Sequence, residues 1–107
     1  MNRVDLISYC KSYPDTYIDN PFHDETVLIR HNKNKKLFVF IINHGQEVFV
    51  NLKCEPQESD FFRQVYPFVV PAYHMNKQHW NTIKLLQCYD ENILFELIDK
   101  SYKLTLK

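Results

Sequence analysis

Three consecutive segments with the spacing of β-strands, joined only by short turns, constrain the fold of this chain more than any other feature. Residues 26–31 alternate side chains between two faces, residues 37–42 are apolar throughout, and residues 48–54 alternate again. Side chains of a strand point alternately to the two faces of a sheet, and short connections join antiparallel neighbours. The sequence therefore predicts a three-stranded antiparallel meander whose central strand is covered on both faces for part of its length.

The two connections of this meander carry residues that favour turns. Residues 32–36 read Asn-Lys-Asn-Lys-Lys; asparagine tolerates left-handed backbone angles, and lysine keeps its charge in water. The second connection contains Gly45, the only glycine of the chain, which is free to take a positive φ. Both segments are therefore predicted as hairpin turns.

Three amphipathic helices are predicted around the sheet. Apolar residues recur at helical spacing over 2–12, 56–66 and 90–103; the last two segments place acidic residues early, and the third also places basic residues late. Residues 15–24 contain prolines beside aromatic side chains, and we interpret them as a loop pinned to the core.

A second hairpin is predicted around the polar and aromatic segment 73–82. Val69 and Val70 precede it and 83–86 is largely apolar, so two strands should flank a turn near 76–79. The resulting order is helix, three strands, helix, two strands, helix. Short antiparallel strands with helices packed on one face form an α+β two-layer domain, and 107 residues fit a single domain, 1–107.

Composition narrows the class of protein. Thirteen basic and thirteen acidic residues give no net charge, so attraction to nucleic acid has to come from a local patch. Cys10, Cys54 and Cys88 are odd in number and far apart, which argues against a disulfide framework or a zinc ribbon. No segment approaches the roughly 20 apolar residues of a membrane span. We expect a cytoplasmic monomer without a membrane partner.

The segment 73–82 reads Tyr-His-Met-Asn-Lys-Gln-His-Trp-Asn-Thr and resembles the hallmark of the MmcQ/YjbR family, Tyr-His-Met-Asn-Lys-x-His-Trp-Asn-Thr. The resemblance extends through 50–54, the helix after it with Tyr66-Pro67, and 96–102. It implies a CyaY-like fold in which two projecting hairpins form a "double wing" proposed to contact DNA.

The two hairpin tips carry the residue types that this function requires. Lysine and arginine neutralise phosphates, asparagine and glutamine can read base edges, and a two-stranded ribbon fits the major groove. The predicted nucleic-acid-binding residues are Arg30, Lys33, Lys35, Lys36, Asn76, Lys77, Gln78 and His79. The hallmark residues Tyr73, His74, Trp80 and Asn81 are predicted to act either in binding or in shaping the hairpin.

Alternatives remain open at both tips. The first has the composition of an ordinary solvated turn. In the second, the ring of Trp80 packs on the sheet while His74 and Asn81 hold the hairpin's shape, or the Trp80 region docks a protein or a small ligand.

The sequence offers few residue patterns that would support catalysis or metal binding. The chain has no glycine-rich phosphate loop and no Gly-x-Ser-x-Gly elbow. Cys54 or Cys88 would need an activating histidine, and their apolar neighbours are typical of buried thiols. His74 and His79, alone or with Cys88, would lack a carboxylate within the hairpin. The first helix also lacks the acidic ridge of frataxin-type proteins. We predict no enzymatic activity, no cofactor and no metal.

Overall fold

A six-stranded antiparallel sheet forms one layer of the protein. The structure, a computed structural model, describes residues 1–107. The strands are β1 (Thr16–Asp19), β2 (Val27–His31), β3 (Leu37–His44), β4 (Glu47–Lys53), β5 (Val69–Pro71) and β6 (Trp80–Lys84). They lie in the order β1-β2-β3-β4-β6-β5, and every neighbouring pair is antiparallel. The predicted meander is therefore present and is extended at both of its sides.

Three helices form the second layer on one face of this sheet. They are α1 (Arg3–Lys11), α2 (Pro56–Val65) and α3 (Glu91–Thr105). Asn2 caps α1 by accepting from the backbone N–H of Asp5, and Asp90 caps α3 by accepting from that of Asn92. None of the three helices has the length and apolar composition needed to cross a lipid bilayer. The predicted α+β two-layer class is confirmed.

Two local predictions were wrong. Residues 15–24, predicted as a loop, contain the edge strand β1, in which Tyr17 pairs with Arg30 and Ile18 with Ile29. A four-residue strand between two prolines is too short to show a clear alternation. Leu85 and Leu86, predicted to continue a strand, belong instead to a single 3₁₀ turn, Leu85–Gln87.

The core lies between the helices and alternate residues of the strands. Ile29, Val39 and Leu52 sit side by side across three strands, and each is at most 1% exposed. The helices cover them with apolar side chains that include Leu6, Cys10, Phe62, Leu94, Leu97 and Ile98. Burial of this area is the main stabilising term, at about 25 cal/mol for each Å² removed from water.

A β-bulge in β3 breaks the strict alternation. Ile29 pairs with Val39, but Arg30 pairs with Leu37, so Phe38 has no partner on β2. Phe38 is fully buried on the helix side, where its ring contacts Tyr13 and Tyr102. The bulge therefore adds one aromatic residue to the core and leaves Leu37 on the open face of the sheet.

Ser101 of α3 fastens this bulge to the neighbouring strand. Its Oγ donates to the carbonyl oxygen of Phe38 at 2.7 Å and accepts from the backbone N–H of Lys53 at 2.9 Å. The side chain is completely buried. One hydroxyl thus partners a polar backbone group on each of two strands.

We expect Ser101→Ala to lower the free energy of unfolding by about 1–3 kcal/mol, because it takes a partner from two buried backbone groups. Urea denaturation measures this change. Ser8→Ala is the matched control: Ser8 is exposed on α1, and its loss should change stability by less than about 0.5 kcal/mol. Equal effects of the two substitutions would contradict the assignment.

Candidate functional site

Both predicted tips lie at the same end of the sheet. Val39 pairs with Leu52, so β4 ends beside the start of β3, and Lys53 pairs with Trp80, so β6 begins there as well. Residues 32–36, the first tip, lead into β3, while residues 72–79, the second tip, lead into β6. Two strand spacings, about 10 Å, separate β3 from β6. We call this part of the molecule the basic end.

Charge is divided between the two ends of the sheet although the chain is neutral overall. The basic end carries Lys33, Lys35, Lys36, Lys53 and Lys77. The turns and helix start at the opposite end carry Asp24, Glu25, Glu47, Asp90 and Glu91, opposed there by Arg3, Lys84 and the N-terminal amine. At the basic end Glu55 also follows Lys53, so each end has an excess of one sign rather than a single sign of charge. Near the basic end, Asp15 accepts from Asn32 Nδ2 at 3.1 Å, and Glu58 pairs with Lys100 at 2.9 Å. The patch that a neutral chain needs in order to attract an anion is therefore present.

The first tip is held against the end of α3. Asn34 Nδ2 donates to the carbonyl oxygen of Thr105 at 2.8 Å, while its Oδ1 accepts from the backbone N–H of Lys36 at 2.8 Å. Lys35 takes a left-handed φ of 63°. Asn34 thus satisfies a carbonyl at the helix terminus and fixes the shape of the turn.

The basic side chains of this tip differ in how free they are to contact a ligand. Lys33 and Lys35 are exposed and form no ion pair, and Lys35 Nζ lies 5.1 Å from the centre of the Tyr17 ring. Lys36 Nζ contacts the backbone oxygen of Lys107. Arg30 donates through Nε to Asp19 at 3.0 Å and through Nη1 to the carbonyl oxygen of Lys35 at 2.9 Å. Arg30 therefore shapes the tip, and the lysines are its solvent-facing cations.

His31 anchors the first tip from beneath. Its Nε2 lies 2.7 Å from Thr105 Oγ1, and its ring contacts those of Phe38 and Tyr102. Burial lowers the pKa of His31 below its usual 6.5, although the nearby Asp15 carboxylate acts in the opposite direction. The folded protein therefore favours the neutral ring.

The lowered pKa of His31 makes the stability of the protein depend on pH. Below pH 6.5 the unfolded chain binds a proton on His31 more readily than the folded chain does, so stability falls as pH decreases from 6.5 towards the folded pKa. We expect His31→Gln to flatten this part of the stability profile between pH 7.5 and 5.5, measured by urea denaturation. Gln78→Ala removes an exposed side chain that carries no titratable group at the same end of the sheet, and it should leave the wild-type profile in place. An unchanged profile in His31→Gln would contradict the assignment.

The second tip folds back over the open face of the sheet. The backbone N–H of Tyr73 donates to Thr82 Oγ1 at 2.8 Å, and Asn51 Nδ2 donates to the carbonyl oxygen of Tyr73 at 2.8 Å. The Thr82 hydroxyl in turn donates to Asn51 Oδ1. Asn51 and Thr82 are fully buried although they lie on the face without helices. This polar triangle explains how an eight-residue loop keeps one position.

The predicted contact residues of the second tip divide into two groups. Asn76 Oδ1 accepts from the backbone N–H groups of Gln78 and His79 at 2.8 and 3.2 Å, and Lys77 Nζ donates to the carbonyl oxygen of Ala72 at 2.8 Å. Asn76 thus shapes the turn. Gln78 and His79 are exposed and their side chains bond to no protein group. They are the free polar side chains of this tip.

The hallmark residues mostly build the loop. Asn81 is buried, accepts from Arg63 Nε at 2.6 Å and donates to Ser59 Oγ at 3.3 Å, which ties β6 to α2. The ring of Tyr73 packs edge-on against His44 and Phe49, and that of His74 lies beside it. His74 also takes a left-handed φ of 66°. Only Trp80 stays half-exposed on the strand itself.

We expect Thr82→Val to release the second tip, because valine keeps the shape of threonine but cannot bond to Tyr73 or Asn51. The loss should be about 1–3 kcal/mol of stability, and the amide of Tyr73 should exchange faster with solvent. Hydrogen exchange followed by NMR measures both changes, with the central-strand amide of Val50 as reference. Unchanged protection at Tyr73 would contradict the role of Thr82.

The thiols and histidines form no obvious reactive centre. Burial raises the pKa of Cys10 to about 12 and also raises the pKa values of Cys54 and Cys88. Raised values keep these thiols protonated and weakly nucleophilic. No three His, Cys, Asp or Glu side chains lie together as a group that could hold a metal ion.

Sequence reasoning missed Lys53, which pairs with Trp80 at the basic end. Its position next to the strand's end, combined with the alternation of β4, was the available signal. Register also places Tyr17, Arg30 and Leu37 on the same side of the sheet. We call Tyr17, Arg30, Leu37, Lys53 and Trp80 the open-face row.

Comparison with known proteins finds relatives along nearly the whole chain. Residues 11–104 match the model of the family described as YjbR. The uncharacterised protein YyaQ of Bacillus subtilis is 32% identical over 98% of this chain and 98% of its own length. The uncharacterised protein YjbR of Escherichia coli K12 is 26% identical over 96% and 86%.

Solved structures agree with the architecture. A crystal structure of a Pseudomonas syringae protein superimposes with a TM-score of 0.87 at 31% identity, covering 98% of this chain and 99% of that one. A Deinococcus radiodurans protein gives a TM-score of 0.85 at 30% identity, covering 97% and 78%.

Proposed function

This chain belongs to the YjbR family, and on that premise we propose that it binds duplex DNA through the basic end of its sheet. The observation that carries the proposal is the convergence of the two tips. Segments 40 residues apart in sequence bring their lysines to one end, while acidic side chains gather at the other. A neutral protein with such a division of charge can still hold a polyanion at one pole.

The spacing of the tips fits a duplex. The strands into which the tips lead, β3 and β6, lie about 10 Å apart, and the centres of the two hairpins lie about 14 Å apart, or three strand spacings; both values are close to the roughly 12 Å width of the major groove. Each tip is braced by buried hydrogen bonds, Asn34 to Thr105 in the first and Asn51 to Tyr73 in the second. Little conformational entropy would be lost on binding, because both loops are already ordered.

The contacts support separate roles for the predicted residues. Lys33, Lys35, Lys36 and Lys77 are the proposed phosphate ligands, and Lys53 joins them from the sheet. Lys36 and Lys77 each donate one N–H of the ammonium group to a backbone carbonyl, which leaves two donors for a phosphate. Gln78 and His79 are the proposed base-edge contacts, since their side chains are free. Arg30 and Asn76 become positioning residues, because internal hydrogen bonds already occupy their polar groups.

We propose further that the protein acts in the cytoplasm as a monomeric binding protein, without a cofactor and without catalysis. Thiols held protonated by burial suit a reducing compartment. A rival function is the docking of a protein or a small ligand on the Trp80 region. Salt separates the two, because phosphate contacts release counterions and apolar docking does not.

We expect the affinity for a labelled duplex, measured by fluorescence anisotropy, to fall with salt at a log–log slope of about −4 to −5 if each of the five proposed lysines contacts a phosphate. Replacing Lys33, Lys35, Lys36 and Lys77 by alanine should flatten that slope. The matched control compares Lys33→Ala with Lys84→Ala, since each removes one charge and Lys84 ends β6 at the opposite end.

Two results would contradict the proposal. One is an absence of duplex binding at low salt. The other is an equal loss of affinity in Lys33→Ala and Lys84→Ala, which would show that general charge rather than the basic end is responsible. Binding that does not respond to salt would instead favour apolar docking on the Trp80 region.

A further inference from the structure

We propose that the open-face row stacks unpaired bases, so that the preferred ligand is a duplex with an adjoining single-stranded segment. This inference rests on the proposed function and specifies the form of DNA at the same end of the sheet. The tips would hold the phosphates of the duplex. The row would hold the bases of the strand that leaves it.

The geometry of the row carries the inference. Tyr17, Arg30 and Leu37 are register partners on β1, β2 and β3, and Lys53 and Trp80 are partners on β4 and β6. The two groups lie on the same side of the sheet and meet at the bulge, where Leu37 and Lys53 are not paired. All five are half-buried, so each shows part of its side chain to solvent. The helices cover the other face, and the second tip covers the adjacent residues Asn51 and Thr82. The row is therefore an uncovered rim beside the lysines of the tips.

The chemistry of the row is that of a surface for single strands. Its two aromatic residues stand at its ends, with Arg30, Leu37 and Lys53 between them. Arg30 is bonded to Asp19 and to the backbone of Lys35, so Lys53 is the free cation of the row. Base stacking on an aromatic ring tolerates any sequence, and neighbouring cations hold the backbone. Sheets that leave one face free and place aromatic residues on it bind unstacked bases in this way.

Trp80 is the central stacking residue of the proposal. Lys53 lies directly across from it and forms no ion pair, so a cation is available next to the ring. The Trp80 backbone is fixed, because its N–H donates to the carbonyl oxygen of Asn76 at 3.0 Å and its carbonyl oxygen accepts from Ala72 at 3.1 Å. No hydrogen bond within the protein uses its indole N–H. At the other end of the row, Lys35 lies over the ring of Tyr17.

The open-face row is also long enough to hold several stacked bases. Five strands at about 4.8 Å each extend it to about 19 Å, which exceeds several stacked base steps of about 3.4 Å. A single-stranded extension of six nucleotides would therefore cover the row. A blunt duplex cannot, because its bases are stacked within the helix.

The test uses the full chain and three DNA probes with equal numbers of phosphates: a blunt duplex, a duplex with a six-nucleotide extension, and a single strand. Trp80 is the only tryptophan, so its intrinsic fluorescence reports on stacking directly. We expect the extended duplex to quench this emission and to bind about tenfold more tightly than the blunt duplex, as stacking of one base implies.

Variants separate stacking from general binding. Trp80→Ala should remove the tenfold preference while the salt-dependent affinity for the blunt duplex remains, and Trp80→Phe should keep part of the preference. Tyr89→Ala is the control, because Tyr89 is an aromatic residue that is 72% exposed and precedes α3, away from the row. Circular dichroism verifies the fold of each variant.

The outcomes distinguish this inference from the proposed function. Equal affinity for blunt and extended duplexes, without quenching of Trp80, would overturn base stacking and leave duplex binding in place. Base stacking would also be overturned if Trp80→Ala still bound the extended duplex more tightly than the blunt duplex. If no probe binds in a salt-dependent way, the proposed function itself fails.

Discussion

The β-bulge at Phe38 sets the relation between the two faces of this sheet. A regular strand would alternate from Leu37 to Val39 and would send Phe38 to the open side. The inserted residue instead places Phe38 and Val39 together in the core. Ser101 of α3 donates to the carbonyl oxygen of Phe38 in this bulge. The bulge therefore connects α3 to the strand that leads out of the first tip and contributes Leu37 to the open-face row. The charged loop keeps its orientation because its base is part of the core.

The second tip is held in place by buried polar side chains of the sheet rather than by a bulge. A loop laid across an apolar sheet would leave its backbone groups without water. Asn51 and Thr82 provide polar partners in the middle of the open face and are themselves fully buried. The hallmark segment therefore serves two purposes. Asn81 and the backbone of Tyr73 fix the loop, whereas Gln78, His79 and Trp80 remain available to a ligand.

Periodicity predicted most of the fold because it reflects local geometry. The meander, the three helices and the turn at Gly45 agree with the sequence, and Gly45 takes the expected positive φ of 62°. β1 was missed because four residues give too little alternation. The roles of Arg30 and Asn76 could not be read from the sequence, since their partners Asp19 and the turn amides become neighbours only after folding. The position of Lys53 at the end of an alternating strand was a usable signal, but its pairing with Trp80 was not, because Trp80 belongs to a distant strand.

The separation of charge between the ends of the sheet also makes the molecule an electric dipole. With no net charge, the molecule as a whole is neither drawn to a polyanion nor repelled by it, but the field of the polyanion turns the lysine-rich pole towards it. This orientation acts over the Debye length, which is about 30 Å at 0.01 M ionic strength and about 10 Å at 0.1 M. In dilute buffer the molecule therefore arrives with its tips already facing the ligand.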